Sequence, residues 1–63
     1  MNSKWQKYKR GMKTPAWATK VEARVLESGS IPTEEEHGFI FDLSTGFAYR
    51  KSSGETLWVR FHK

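Results

Sequence analysis

Phe39-Ile40-Phe41-Asp42-Leu43, then Ser44-Thr45-Gly46, then Phe47-Ala48-Tyr49-Arg50-Lys51 is the stretch on which the fold turns. Two runs of alternating β-formers flank three turn residues, the pattern of a hairpin whose loop ends on a glycine in left-handed backbone. A second turn, Ser52-Ser53-Gly54-Glu55, leads into Thr56-Leu57-Trp58-Val59-Arg60-Phe61-His62, which alternates again. The two turns predict an antiparallel meander. In its register Leu43 faces Phe47, Phe41 faces Tyr49, Lys51 faces Thr56, Tyr49 faces Trp58 and Phe47 faces Arg60.

Such a sheet has two distinct faces. One carries Phe39, Phe41, Leu43, Phe47, Tyr49 and Trp58, edged by Lys51, Arg60 and His62. The other carries Ile40, Ala48, Leu57, Val59 and Phe61. Both are apolar enough to need cover, which three strands alone do not supply, so the chain before residue 30 has to pack on one of them.

That upstream segment, Pro15 to Glu27, has two readings. Trp17, Thr19, Val21, Ala23 and Val25 alternate with Ala18, Lys20, Glu22, Arg24 and Leu26, a two-residue period that predicts a strand. The same residues offer Thr14 as an N-cap, Pro15 at the first helical position and Ser28-Gly29 as a stop. The strand is preferred. The fold expected is therefore mainly β, a small antiparallel meander closing toward an SH3- or OB-like barrel. The alternative is α+β, with one helix at 15–28 on a three-stranded antiparallel sheet. Ser30 to His37, with Pro32 and three consecutive glutamates, reads as a polar loop or a single helical turn begun at Thr33.

Sixty-three residues suffice for one domain of marginal stability, and nine aromatic rings supply bulk that no disulfide supplies here, because the chain has no cysteine. No apolar run approaches the roughly 18 residues of a membrane span, and the N-terminal charges are not followed by the apolar stretch of a secretory signal. A soluble, cytoplasmic protein is the expectation.

Charge is the strongest functional signal. Lys4, Lys7, Lys9, Arg10 and Lys13 lie within the first 13 residues with no acid among them, while the whole chain has a net charge of +4. Residues 1–13 thus read as a basic arm, extended or folded as a short helix, preceding a nearly neutral body at 14–63. Trp5 and Tyr8 sit among the cations. Positive charge interleaved with flat rings suits a polyanion that also offers bases to stack on, so nucleic acid is the expected partner, with single strands favoured and DNA and RNA not distinguished. Tyr49, Lys51, Trp58 and Arg60 would extend the track across the aromatic sheet face. A small interaction module or inhibitor, anchoring its rings on a larger protein, is the alternative from another class.

Catalysis finds little support. There is no nucleophile elbow, phosphate loop or paired-carboxylate signature, and the nearest enzymatic arrangement is a ribonuclease with His62, Arg60 and Tyr49 as proton shuttle and phosphate clamp. His37 and His62 have neither cysteines nor the His-x-x-x-His spacing of a metal site beside them. No enzyme, metal or cofactor is expected.

Overall fold

A computed structural model describes residues 4–46, 50 and 53–63. The protein is mainly β, as expected. It contains β1 (Gln6–Lys7), β2 (Lys20–Glu27), β3 (Phe39–Asp42) and β4 (Glu55–His62), with a 3-10 turn at Leu43–Thr45 between β3 and β4. All pairings are antiparallel, and the strand order is β1-β4-β2-β3 in an open sheet.

The centre of the sheet is the pair β2–β4, which runs from Lys20 opposite His62 to Glu27 opposite Glu55. β3 lies along the other side of β2, with Val21 opposite Phe41 and Glu22 opposite Ile40. β1 lies along the free side of β4, with Gln6 opposite Val59 and Lys7 opposite Trp58. The alternating segment is therefore a strand from residue 20 onward, with Trp17 to Thr19 in the turn before it, and the alternative helix at 15–28 does not form. Val21 and Val25 favour extended backbone, and the Thr14-Pro15 start signal goes into a turn in which the Ala18 N–H donates to the Pro15 carbonyl at 3.1 Å.

Long-range pairing also corrects the expected register. Phe41 faces Val21, Thr56 faces Leu26, Arg60 faces Glu22, and Trp58 lies between Arg24 and Lys7. The partners expected for them, Phe47, Tyr49 and Lys51, lie outside the described residues, as does Ala48. Gly46 does take the positive φ expected of the turn glycine, +88°.

The new register redistributes the faces. Because side chains alternate, the pairing places Phe39, Phe41, Val21, Ala23, Leu57, Val59 and Phe61 on one face, and Ile40, Glu22, Arg24, Trp58, Arg60 and His62 on the other. Phe39 and Phe41 were expected beside Trp58. They lie instead on the Leu57–Val59–Phe61 side, because β2 is the strand through which the parity of β3 and β4 is related.

Both faces are covered. Val21, Ala23, Leu57, Val59 and Phe61 form the apolar core, with Met12, Ala18 and Leu43 packed against them. On the opposite face the 28–38 connection lies over Glu22 and Arg60, and β4 is buried without a break from Leu57 to Phe61. Part of the expected basic arm joins the sheet: residues 6 and 7 are an edge strand, the Tyr8 N–H donates to the Leu57 carbonyl at 2.8 Å, and among the described residues of the arm no helix forms. Extended backbone puts Trp5 and Lys7 on the polar face, whereas Tyr8 borders the apolar one.

Gly38 fixes how closely the covering loop can approach. A Cβ there would run into the backbone carbonyl of Ala23 on β2. Without it, the Gly38 N–H reaches the Glu22 carboxylate at 2.6 Å. Gly38→Ala is expected to lower stability by about 2 kcal/mol or more, since backbone must move and a buried hydrogen bond lengthens. Urea unfolding measures this, and an unchanged midpoint would contradict the close approach.

Candidate functional site

The polar face is organised around one carboxylate. Glu22 and Arg60 are opposite each other on β2 and β4, and each is only 2% exposed. Arg60 Nε donates to Glu22 Oε1 at 2.7 Å and Arg60 Nη2 to Oε2 at 3.3 Å. The remaining guanidinium donors reach the loop, Nη1 to the Glu34 carbonyl and Nη2 to the Glu36 carbonyl, both at 2.9 Å. The ring of Trp5 lies against the guanidinium, 4.3 Å from Cζ, and the Trp5 indole N–H donates to the Thr33 carbonyl at 3.0 Å. Arg60 thereby ties together β2, β4, the covering loop and the N-terminal segment.

Two imidazoles meet the same carboxylate. His62 Nε2 lies 2.7 Å from Glu22 Oε1, and His37 Nδ1 lies 3.7 Å from Oε2. Burial alone would raise the Glu22 pKa. Hydrogen bonds from Arg60, Gly38 and His62, together with the Arg60 charge, outweigh it and bring the value down to about 2. Glu22 is therefore an acceptor at neutral pH, and the hydrogen bond from His62 places a proton on Nε2, so that a neutral ring has its lone pair on Nδ1. An open pocket of about 340 Å³ stands over this group, with Lys20 and Lys63 at its margin. Among the described residues no cluster of His, Asp or Glu has the arrangement of a metal site.

The five N-terminal cations have a different character. Lys4, Lys7, Lys9, Arg10 and Lys13 are all exposed. The Lys7 ammonium lies 5.9 Å from the centroid of the Trp58 ring, and Lys9 and Arg10 lie in a turn closed by the Met12 N–H donating to the Lys9 carbonyl at 3.0 Å. Tyr8 and Met12 border a second cleft, of about 270 Å³, over the apolar core.

Several expected site residues have other places. Trp58 is buried, and Arg60 is buried and committed to Glu22 and two carbonyls, so neither can meet a phosphate or a base as an exposed track requires. Trp5 spends one ring face on Arg60. Tyr49 and Lys51 lie outside the described residues. Conversely, sequence reasoning passed over Trp17, which is 48% exposed, and Lys20, and weighed His37 only as a metal ligand. Trp17 stands between Lys13 and Lys20 in the sequence, a local pattern of ring and cation that could have singled it out. No local signal marks Glu22 or its meeting with His37, which depends on long-range pairing.

No helix among the described residues is long and apolar enough to cross a membrane. Comparison with protein-family models, curated proteins and solved structures finds no match, so function has to be argued from the chain's own residues.

The central ion pair sets an acid limit on the fold. A carboxylate whose pKa is lower in the folded than in the unfolded chain contributes stability above its unfolded value, 4.5, and loses it as pH falls toward about 2. Unfolding free energy, measured by urea titration, is expected to decline through that window by an amount on the order of 3 kcal/mol, and Glu22→Gln should remove most of the decline. Glu22→Met or Arg60→Met alone leaves a buried charge unpaired and is expected to cost about 3–5 kcal/mol. The double variant should lose less than the sum of the two, and strict additivity would show that the pair is not coupled.

Proposed function

We propose that the protein binds nucleic acid, preferentially single strands, through its N-terminal basic segment. The observation that carries this reading is that Lys4, Lys7, Lys9, Arg10 and Lys13 are all exposed while the backbone in their midst, residues 6–8, is anchored to β4. Charges presented by an ordered ribbon lose less conformational entropy on meeting a phosphate backbone than charges on a free tail. Phosphate contacts position without reading sequence, so preference among sequences is weak. The stacking role passes from Trp5 and Trp58 to Trp17, the exposed indole flanked in sequence by Lys13 and Lys20.

A protein partner is the second reading, favoured by the exposure of Phe39 and Ile31, 79% and 75%. Salt separates the two. Neutralised phosphates release counterions, so polyanion affinity falls log-linearly with salt, whereas a ring-anchored interface depends on it much less.

Deleting residues 1–13 is a poor test, because it removes β1 and uncovers Arg60. The better one is fluorescence anisotropy of a labelled single-stranded oligonucleotide and of its duplex, across a salt series. Saturable binding with a log-log slope of about −3 to −5 is expected. Lys9→Gln, Arg10→Gln and Lys13→Gln combined should flatten that slope by about 2 to 3 without shifting the melting temperature. Absence of binding at low salt would overturn the reading.

A further inference from the structure

We propose that the pocket over Glu22 cleaves the RNA strand that the basic segment binds, with His62 as general base and His37 as general acid. The proposal rests on the nucleic-acid reading above. Its basis is the convergence of two imidazoles on one ionised carboxylate, at 2.7 and 3.7 Å, beneath an open pocket bordered by Lys20 and Lys63.

Each part of the pocket has a chemical role. Glu22, held as a carboxylate by Arg60 and the Gly38 N–H, accepts from His62 Nε2, so the Nδ1 lone pair of the neutral ring is the free one. This is a positioning role, exerted through His62. His37 turns Nδ1 toward the other carboxylate oxygen and has a side chain 80% exposed, which leaves its Nε2–H accessible to a leaving group. Both rings border the same open pocket. Lys20 faces His62 across the strands and, with Lys63, supplies positive charge for the phosphate oxygens. The charged groups around the two rings are Lys20 and Glu22 from β2, Arg60 from β4, Lys63, and the Arg24–Glu36 ion pair at the loop.

The step balances without a co-reactant. His62 Nδ1 takes the proton of a ribose 2′-hydroxyl as its oxygen bonds to phosphorus. The bond from phosphorus to the 5′ oxygen breaks, and that oxygen takes a proton from Nε2 of protonated His37. The products are a 2′,3′-cyclic phosphate and a 5′-hydroxyl, so the substrate must be RNA. This arrangement differs from the one the sequence suggests. Arg60 is no phosphate clamp here, being committed to Glu22, and the working partners are Glu22 and His37.

The test uses the full chain with a 12-nucleotide RNA and the same sequence in 2′-deoxy form, in EDTA, with products identified by mass spectrometry and binding followed in parallel by anisotropy. Expected are cleavage of the RNA to cyclic-phosphate ends, binding of the deoxy strand without cleavage, and a bell-shaped pH profile. His62→Ala and His37→Ala should each lower the rate by about 10²- to 10⁴-fold. His37→Ala, at an exposed position, should keep the wild-type melting temperature and lose the alkaline limb of the profile. RNA bound but left intact overturns this inference and leaves the binding reading standing, whereas failure to bind either strand overturns both. Cleavage undiminished in both histidine variants also overturns it.

Discussion

The Glu22–Arg60 pair is the constraint around which the molecule is arranged. Two opposite charges in the middle of a sheet are costly to desolvate, and the cost is offset only when every donor and acceptor finds a partner. Here the partners come from all over the chain: a β4 histidine, the Gly38 N–H, two loop carbonyls and the face of Trp5. The covering loop and the N-terminal segment are held largely because Arg60 needs them. A well-packed apolar pair would stabilise the same strands but would leave the loop without an address, so the pair serves specificity of arrangement more than stability.

This explains what could be read from the sequence and what could not. The strand at 20–27 was legible because its two-residue period is local, and so was the strand at 55–62. The need to cover both faces of that second strand was legible too, since Leu57, Val59 and Phe61 alternate with Trp58 and Arg60. Neighbour relations were not. Hairpin turns suggest that consecutive strands pair, yet β3 and β4 both pair with β2, which precedes them, and one inserted strand reverses which rings share a face. The loop at 30–37 looked uninformative for a related reason. Its contribution is largely backbone carbonyls, those of Thr33, Glu34, Glu36 and His37, with a buried proline, and carbonyls have no signature in a sequence.

The basic segment shows how one stretch can satisfy two demands. Trp5 and Lys7 share the polar face, yet Trp5 packs on the Arg60 guanidinium while the lysines and arginine stay exposed. Composition registers the cations and rings together and assigns them one role. Packing separates them, giving a structural role to Trp5 and leaving the charges exposed. The candidate interface was therefore legible in its charges but not in its rings: the sequence singled out the aromatics most easily seen among cations, and these are the ones that hold the fold.

The chain order of the sheet has a consequence for synthesis. β4 occupies an interior position, bonded to β1 on one side and β2 on the other, yet of the four strands it is the last to be translated. Until it emerges from the ribosome, β1 has no neighbour, Glu22 lacks its guanidinium, and the core lacks Leu57, Val59 and Phe61. β2 and β3 together are no more than a hairpin with a wide loop, which is marginal in water. Folding thus waits on closure of contacts distant in sequence, a slow step that leaves Phe39, Ile40 and Phe41 unprotected on the nascent chain. The density of charge around those apolar runs, Lys20 to Glu27 before them and Arg50 and Lys51 after, is suited to keeping the chain in solution during that interval.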